Sequence, residues 1–354
     1  MNPFERAGLA PVINAAGKLS SLGGTAQARE VADAQAAAAM AHVDLADLRR
    51  AAGERIARVT GAEAACVTSG AASGIAIAVA AVLTGTDLGR VRRVPNLDGA
   101  RDILLQRGHD VDFGAEVTQM IRLGGGRPVV FGSLERVTEA DLAAALSPDT
   151  AAIVYVQSHH CVQEGRLALS TLLDRGVPVL VDAAAESDLR VWIDAGADVV
   201  TYSGGKAIGG PTCGFVAGNQ TLIEACEAQQ RGIARAMKVG KEQIMGLLAA
   251  LDRAVVEGHA DEVLEGLRAG LAACADVTVV PDGAGRPIRR VALQLPPARL
   301  RALVQFLHDG DPSIRTRNHE LDKGRVQFDP RELRPEHVPI IVGRVRQFFF
   351  EHAC

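Results

Sequence analysis

Short apolar runs that stop at small or polar residues constrain this chain more than any other feature. RPVVFG, AAIVYVQS, VPVLVDA and ADVVTYSGG are runs of this kind, and helical text such as VTEADLAAALSP and LSTLLDRG separates them. Runs this short, without polar alternation, read as strands buried on both faces. Strands separated by helices predict an α/β domain with a mostly parallel sheet. Ligands of such sheets bind beyond the carboxyl ends of the strands. Ser69, Ser158, Asp182 and Lys206 are therefore expected along one edge.

The text on either side of this block is different. PVINAAGKLSSLGG reads as an extended segment wrapping the body, and Ala26 to Arg58 as helices rich in alanine and arginine. AACVTSG reads as a strand entering a turn, AASGIAIAVAAVLTG as a buried helix, and RRVPNL as a further strand. KEQIMGLLAALDRAVVEG reads as a long bridging helix. Beyond it VTVVPDG, IRRVALQLP and GRVQFDP are expected strands, and ARLRALVQFLHDG and EHVPIIVGRVRQFFFEH expected helices. This predicts a large domain over 1–245, including the N-terminal segment, and a small C-terminal α+β domain over 246–354.

Bulk properties exclude several classes. The net charge of -4 gives no global basic field for nucleic acid. The longest apolar run, AASGIAIAVAAVL, falls short of the roughly 18 residues a membrane span needs. MNPFERAGLAP lacks the basic start and apolar core of a secretory signal. Six cysteines without CxxC spacing suggest neither a zinc site nor a disulfide framework, and read as free thiols in a reducing cytoplasm.

The chemistry centres on Lys206, in VVTYSGGKAIGGPTCGFVAG, and on Asp182, at the end of VPVLVD. A lysine and an aspartate at the ends of buried strands form the pair that pyridoxal phosphate chemistry uses. The lysine holds the aldehyde as a Schiff base, and the aspartate keeps the pyridine nitrogen protonated. Taken separately, Lys206 reads as a loop lysine and Asp182 as a helix N-cap. Together they favour the cofactor. A nucleotide phosphate loop fails, because Val200 stands where that pattern needs glycine and Ala207 where it needs Ser or Thr.

TSGAASG, from Thr68 to Gly74, places Ser69, Gly70 and Ala71 at a helix start, where free N–H groups can cradle a phosphate. Ser203 can add a hydroxyl. His109, in QRGHDVDFG, is expected either to stack on the cofactor ring or to serve as an acid or base. Ser158, His159 and His160 end a run at the same edge. Adjacent histidines on an extended chain point to opposite faces, so no metal is expected. Arg315 and Arg317, in PSIRTRNHE, alternate on an extended segment and are the candidate clamps for a substrate carboxylate.

Together these stretches resemble the fold-type-I pyridoxal phosphate enzymes, which are aspartate aminotransferase-like, and within them the selenocysteine synthase group. VINAAGKLSSLGG, TGAEAACVTSGAASGIAIAVAA and SGGKAIGGPTCGFVAG carry that likeness. RGHDVDFG, SHHCVQEGRLAL, MKVGKEQIMGLLAAL and VQFDPREL are closer to the D-glucosaminate-6-phosphate ammonia-lyase branch. The resemblance implies Lys206 as the Schiff-base lysine, Asp182 as the ring-nitrogen partner, Ser69, Gly70, Ala71 and Ser203 around the phosphate, and His109 against the ring. It implies a cytoplasmic homodimer or larger homo-oligomer. The chain starts almost at PVINAAG, so transfer RNA binding is not expected.

The reaction expected first is an α,β-elimination on an amino acid or amino-sugar acid, giving a 2-keto acid and ammonia. His109 or His160 would assist the leaving hydroxyl. A racemase or epimerase is the alternative, with His109 or Cys161 opposite Lys206. The further alternative is a pyridoxal phosphate-binding protein without catalysis.

Overall fold

The computed structural model describes residues 3–157, 163–253, 260–283 and 285–352. In chain order its strands are β1 (Val12–Ala15), β2 (Ala64–Thr68), β3 (Asp102–Gln106), β4 (Arg127–Phe131), β5 (Thr150–Val156), β6 (Val179–Asp182), β7 (Val199–Ser203), β8 (Gly214–Gly218), β9 (Asp276–Pro281), β10 (Arg289–Gln294), β11 (Ser313–Thr316) and β12 (Arg325–Phe328). The chain divides into two compact units, one of Gln27–Ala254 and one of Met1–Ala26 with Val255–Cys354.

The first unit holds a seven-stranded sheet in the order β2-β8-β7-β6-β5-β3-β4. β4, β3, β5, β6 and β7 pair in parallel, and β8 runs against both its neighbours, β7 and β2. The apolar runs become strands because both sheet faces are covered. Along β6, Val179 and Val181 enter one core with Ile56 and Leu142, while Leu180 enters the other with Ile75 and Val79. That alternation is the two-residue period of a strand. The Ala71–Thr84 helix is almost wholly buried and supplies the second core.

One expectation about the strands is corrected. RRVPNL is not a strand; it runs from the end of the Leu88–Val91 helix into a turn, with Arg92 and Arg93 exposed. GFVAG is a strand, β8, though it carries two glycines.

The second unit has an antiparallel sheet, β12-β10-β9, packed with the Ala260–Leu271, Pro297–His308 and His337–Glu351 helices around Val263, Leu267, Leu300, Leu303, Val326 and Phe328. Its other strand pair is β1 with β11, parallel, with Val12 opposite Ser313. That pairing ties the N-terminal segment to the C-terminal unit, and Glu332 extends the tie by accepting bonds from Thr25 Oγ1 and the Ala26 N–H, both at 2.9 Å. The sequence expectation divides the chain at 1–245 and 246–354; the compact units group it differently. Residues 1–26 leave the large unit, and the Lys241–Leu251 helix, packed on the Arg29–Ala39 helix, stays in it.

This second unit buries an ion cluster. Arg290, 3% exposed, donates from Nε to Asp329 and from a terminal nitrogen to Asp282, each at 2.8 Å. Arg331 grips the same Asp329 carboxylate with two bonds, at 2.9 and 2.8 Å. Burial alone would push the Asp329 carboxyl up; Arg331 and Arg290 outweigh it and hold it at about 2. Its folded value lies below the ordinary 3.8, so its stabilisation is present above 3.8 and is lost as pH falls towards about 2. Arg290→Met would remove one charged partner from each of two buried carboxylates, Asp329 and Asp282. It is expected to lower stability by about 3–5 kcal/mol, read as a drop in the urea midpoint; a shift below about 0.5 kcal/mol, the size of an ordinary surface change, would refute this account of the cluster.

Candidate active site at the carboxyl edge of the sheet

Strand register assembles the site. Asp182, the last residue of β6, lies opposite Val156 on β5 and Thr201 on β7. Ser203, the last residue of β7, lies opposite Gly214, and Gly214 lies opposite Thr68 at the end of β2. One edge therefore carries Asp182, Ser203 and the Ser69–Gly70–Ala71 turn, with Lys206 in the turn just past Ser203. Lys206 is close enough for its charge to act on Asp182. Ser158, His159, His160 and Cys161 lie outside the described residues.

Glycines let backbone close in around that edge. A Cβ added at Gly74 would sit 2.1 Å from Thr201 Oγ1, so only glycine lets the Ala71–Thr84 helix rest its first turn on β7. A Cβ at Gly214 would sit 2.3 Å from the Tyr202 carbonyl and 3.0 Å from Gly70 Cα. The helix begins at Gly70 with no side-chain cap and no acidic residue in its first turn. A Cβ at Gly70 would meet nothing within 4 Å. Ser69 Oγ donates to Ser73 Oγ at 3.0 Å, and Ser73 in turn donates to the Gly70 carbonyl at 2.8 Å, so neither hydroxyl caps the helix. Uncapped N–H groups facing open space suit an anion.

Asp182 is 6% exposed and accepts a bond from the Ala184 N–H at 3.0 Å. Burial pushes its carboxyl up to about 6, while Lys206 and the Ala184 N–H pull it down. A buried anion in this state is completed by a cation. An anion cradle, a buried carboxylate and a primary amine on one edge fit a ligand with a phosphate, a basic ring nitrogen and an aldehyde.

His109 follows β3 and is fully buried. Its Nδ1 accepts the Val156 N–H at 3.2 Å, so Nε2 carries the proton and faces Gln163 Oε1 at 3.1 Å. Burial, offset by Gln163 and reinforced by Arg166, brings its pKa down to about 4. Both ring nitrogens are thus engaged within the protein. Gln163 and Arg166, which hold the ring, sit in QEGR, a stretch with no periodicity or charge pattern to mark them.

Arg315 and Arg317, in the other unit, have different surroundings. Arg315 is half-buried on β11 and acts on Asp309. Arg317, 8% exposed, lies past the strand, bridged to Gln327, beside the Arg290–Asp329 cluster. Burial and its neighbours Arg290 and Arg331 bring its guanidinium down to about 10, against the pull of Asp329 and Asp282, and its Nε has no hydrogen-bond partner.

A cavity of about 540 Å³ lies elsewhere, at the start of β2, lined by Arg49, Glu54, Glu63, Ala64, Glu224 and Glu227. It is at the opposite end of β2 from Thr68 and is not the candidate site. Among the described residues no group of three or more His, Cys, Asp or Glu could hold a metal, and no helix is long and apolar enough to cross a membrane.

The Gly74 contact is directly testable. Gly74→Ala forces the helix start off β7 and is expected to cost about 1–3 kcal/mol in urea unfolding. A neutral or stabilised variant would contradict the close approach.

Comparison with known proteins agrees with this geometry. Residues 162–269 match the family described as SelA: L-seryl-tRNA selenium transferase. Over its whole length the chain is 42% identical to a D-glucosaminate-6-phosphate ammonia lyase of Salmonella typhimurium (strain 14028s / SGSC 2262), covering 99% of that protein. It is 40% identical to a 5'-C-glycyluridine monooxygenase-decarboxylase of a Streptomyces species, over 99% of this chain and 92% of that one. A solved D-glucosaminate-6-phosphate ammonia-lyase structure matches with a TM-score of 0.89 at 40% identity, covering both chains completely. An aspartate aminotransferase from Thermus thermophilus, at 16% identity and a TM-score of 0.57, shares the fold. The chain has the pyridoxal phosphate fold type I and belongs to the selenocysteine synthase-like family of pyridoxal phosphate enzymes.

Proposed function

We propose that this pyridoxal phosphate enzyme is an ammonia-lyase acting on a 2-amino-3-hydroxy sugar acid of the D-glucosaminate 6-phosphate type. The observation that carries this reading is the 42% identity to the Salmonella ammonia lyase over the entire chain. Water is lost across the α and β carbons and returns on hydrolysis, so the net change is release of ammonia and a 2-keto acid. Bound at the sheet edge, pyridoxal phosphate would supply the electron sink for a carbanion at the substrate α-carbon.

The chain's own residues do the rest. Lys206 Nζ is the amine that holds the cofactor at rest and, once free, takes the α-proton. Asp182 keeps a negative charge beside the ring nitrogen. The uncapped start of the Ala71–Thr84 helix, with Ser69, Gly70, Ala71 and Ser203, holds the phosphate. Ser158, which follows β5 in the sequence, is a further candidate for cofactor binding. His109 offers an uncharged aromatic plane. Arg315 and Arg317, each with an unpartnered Nε, are the two candidate clamps for the substrate carboxylate.

The Streptomyces relative supports a second reading, an oxygen-dependent decarboxylation, at nearly equal identity. Amino-sugar acids and amino acids supplied in heavy water, with and without air, separate the two. Keto acid and ammonia formed equally without air support the lyase. Oxygen uptake with carbon dioxide release contradicts it, as does recovery of substrate with inverted, deuterated α-carbon.

The folded value of Asp182 is raised, so the neutral acid favours the folded apoprotein below 3.8, and this advantage is lost as pH rises through about 6. A cationic ring nitrogen reverses that sign. The rise in Tm on adding pyridoxal phosphate is therefore expected to be larger at pH 8 than at pH 5, an asymmetry that Asp182→Asn abolishes. The same variant is expected to keep the cofactor on Lys206 and to lose about a hundredfold in kcat. Equal Tm gains at both pH values would contradict the pairing.

A small-molecule substrate and a cytoplasmic homodimer complete the proposal. The described free cysteines, Cys66, Cys213, Cys226 and Cys274, suit a reducing compartment. Met40, 84% exposed, with Val43 and Leu45 in an alanine-rich stretch, supports self-association.

A further inference from the structure

The QEGR stretch is tied down on several sides, and none of those ties is needed to close the sheet. Gln163 Nε2 donates to the Val156 carbonyl at 3.0 Å, which fixes the amide the right way round. Its Oε1 then receives the Tyr155 hydroxyl at 3.3 Å and faces His109 Nε2 at 3.1 Å. Turning the amide over would set its oxygen against the Val156 carbonyl and its nitrogen against two donors. Two residues on, the Gly165 carbonyl accepts the Val137 N–H at 2.8 Å. Leu167 and Gln106 exchange two bonds, at 2.7 and 3.0 Å, across the end of β3.

Arg166 completes the arrangement. Its guanidinium lies against Gly108, where an added Cβ would come within 2.6 Å of Nε and where φ is +92°. It donates to the Ser133 and Leu134 carbonyls. Its charge stands next to the His109 ring and disfavours a second positive charge there. The Val156 N–H, pointing at Nδ1, has the same effect, because a proton on Nδ1 would face it donor to donor. Tyr155 packs on the ring edge to face, with centroids 4.8 Å apart at 88°.

We propose that Gln163 and Arg166 are positioning residues that lock His109 as the neutral, Nε2-protonated tautomer and set the plane it offers to the cofactor. The inference rests on the reading of a pyridoxal phosphate site at this sheet edge. It explains why an imidazole can stand beside a cationic ring. Held neutral, it stacks without repulsion; free to protonate, it would repel.

The test is the imidazole nitrogen spectrum of protein labelled with ¹⁵N-histidine, recorded with and without cofactor, with His109 assigned by its loss in His109→Asn. The wild type is expected to show the neutral Nε2–H pattern, unchanged from about pH 8 to about pH 5, where a free imidazole would titrate. Gln163→Glu places a carboxylate on Nε2 and is expected to bring His109 titration into that window. It is also expected to shift the visible absorption and circular dichroism of bound pyridoxal phosphate and weaken its binding about tenfold. Arg166→Lys, which keeps the charge, is expected to retain the wild-type tautomer.

An Nδ1–H tautomer, or ordinary titration in the wild type, overturns the lock. A Gln163→Glu protein with His109 protonated but cofactor spectrum and affinity unchanged overturns the role towards the cofactor. Absence of any cofactor band in the wild type overturns the reading of the site instead, and the tautomer is still read from the apoprotein.

Discussion

A carboxylate buried at the end of a strand is the element on which the rest of the site depends. Asp182 ends a strand whose four residues are all buried, between two parallel neighbours. Burial makes its charge expensive, which is why its carboxyl rises to about 6 despite the lysine charge nearby. Such a group is settled by a cation that arrives with the ligand. In the function proposed here, that cation is a ring nitrogen that can carry a proton.

The other elements serve to bring groups up to that charge. Parallel register carries β5, β6 and β7 to a common edge. β8 runs the other way and returns the chain from the Lys206 turn into the sheet beside β2. Gly214 and Gly218 make this return feasible, since an added Cβ would meet the Tyr202 carbonyl at 2.3 Å and the Asp198 carbonyl at 2.1 Å. Gly74 then lets a helix start lean on β7 from the far side. Anion cradle, amine and carboxylate converge because backbone approaches backbone where side chains would have held it off.

Strands β5, β6 and β7 were legible in the sequence because burial on both faces leaves unbroken apolar runs, ended by the polar residues that matter. The placement of Asp182 at the end of its strand and of Lys206 just past the end of another was legible for the same reason. β8 was not, because its strand character comes from its neighbours and two of its five residues are glycine. RRVPNL misled in the opposite way; its valine and leucine suggest a strand, but Arg92 and Arg93 face solvent. The N-terminal segment was legible as extended, but not its pairing with β11, which links residues some three hundred apart. The neutrality of His109 depends on a glutamine and an arginine more than fifty positions later, and no local pattern carries that. Arg315 and Arg317 look equivalent by spacing. The fold gives one Asp309 and the other a buried ion cluster.

The central claim is that the amine at this edge, and no other, carries the cofactor. Borohydride reduction of the pyridoxal phosphate-loaded protein, followed by peptide mapping, tests it most directly. The account predicts a pyridoxyl group on Lys206, in the peptide that contains SGGKAIGG. A label on another lysine, or none on Lys206, would contradict it.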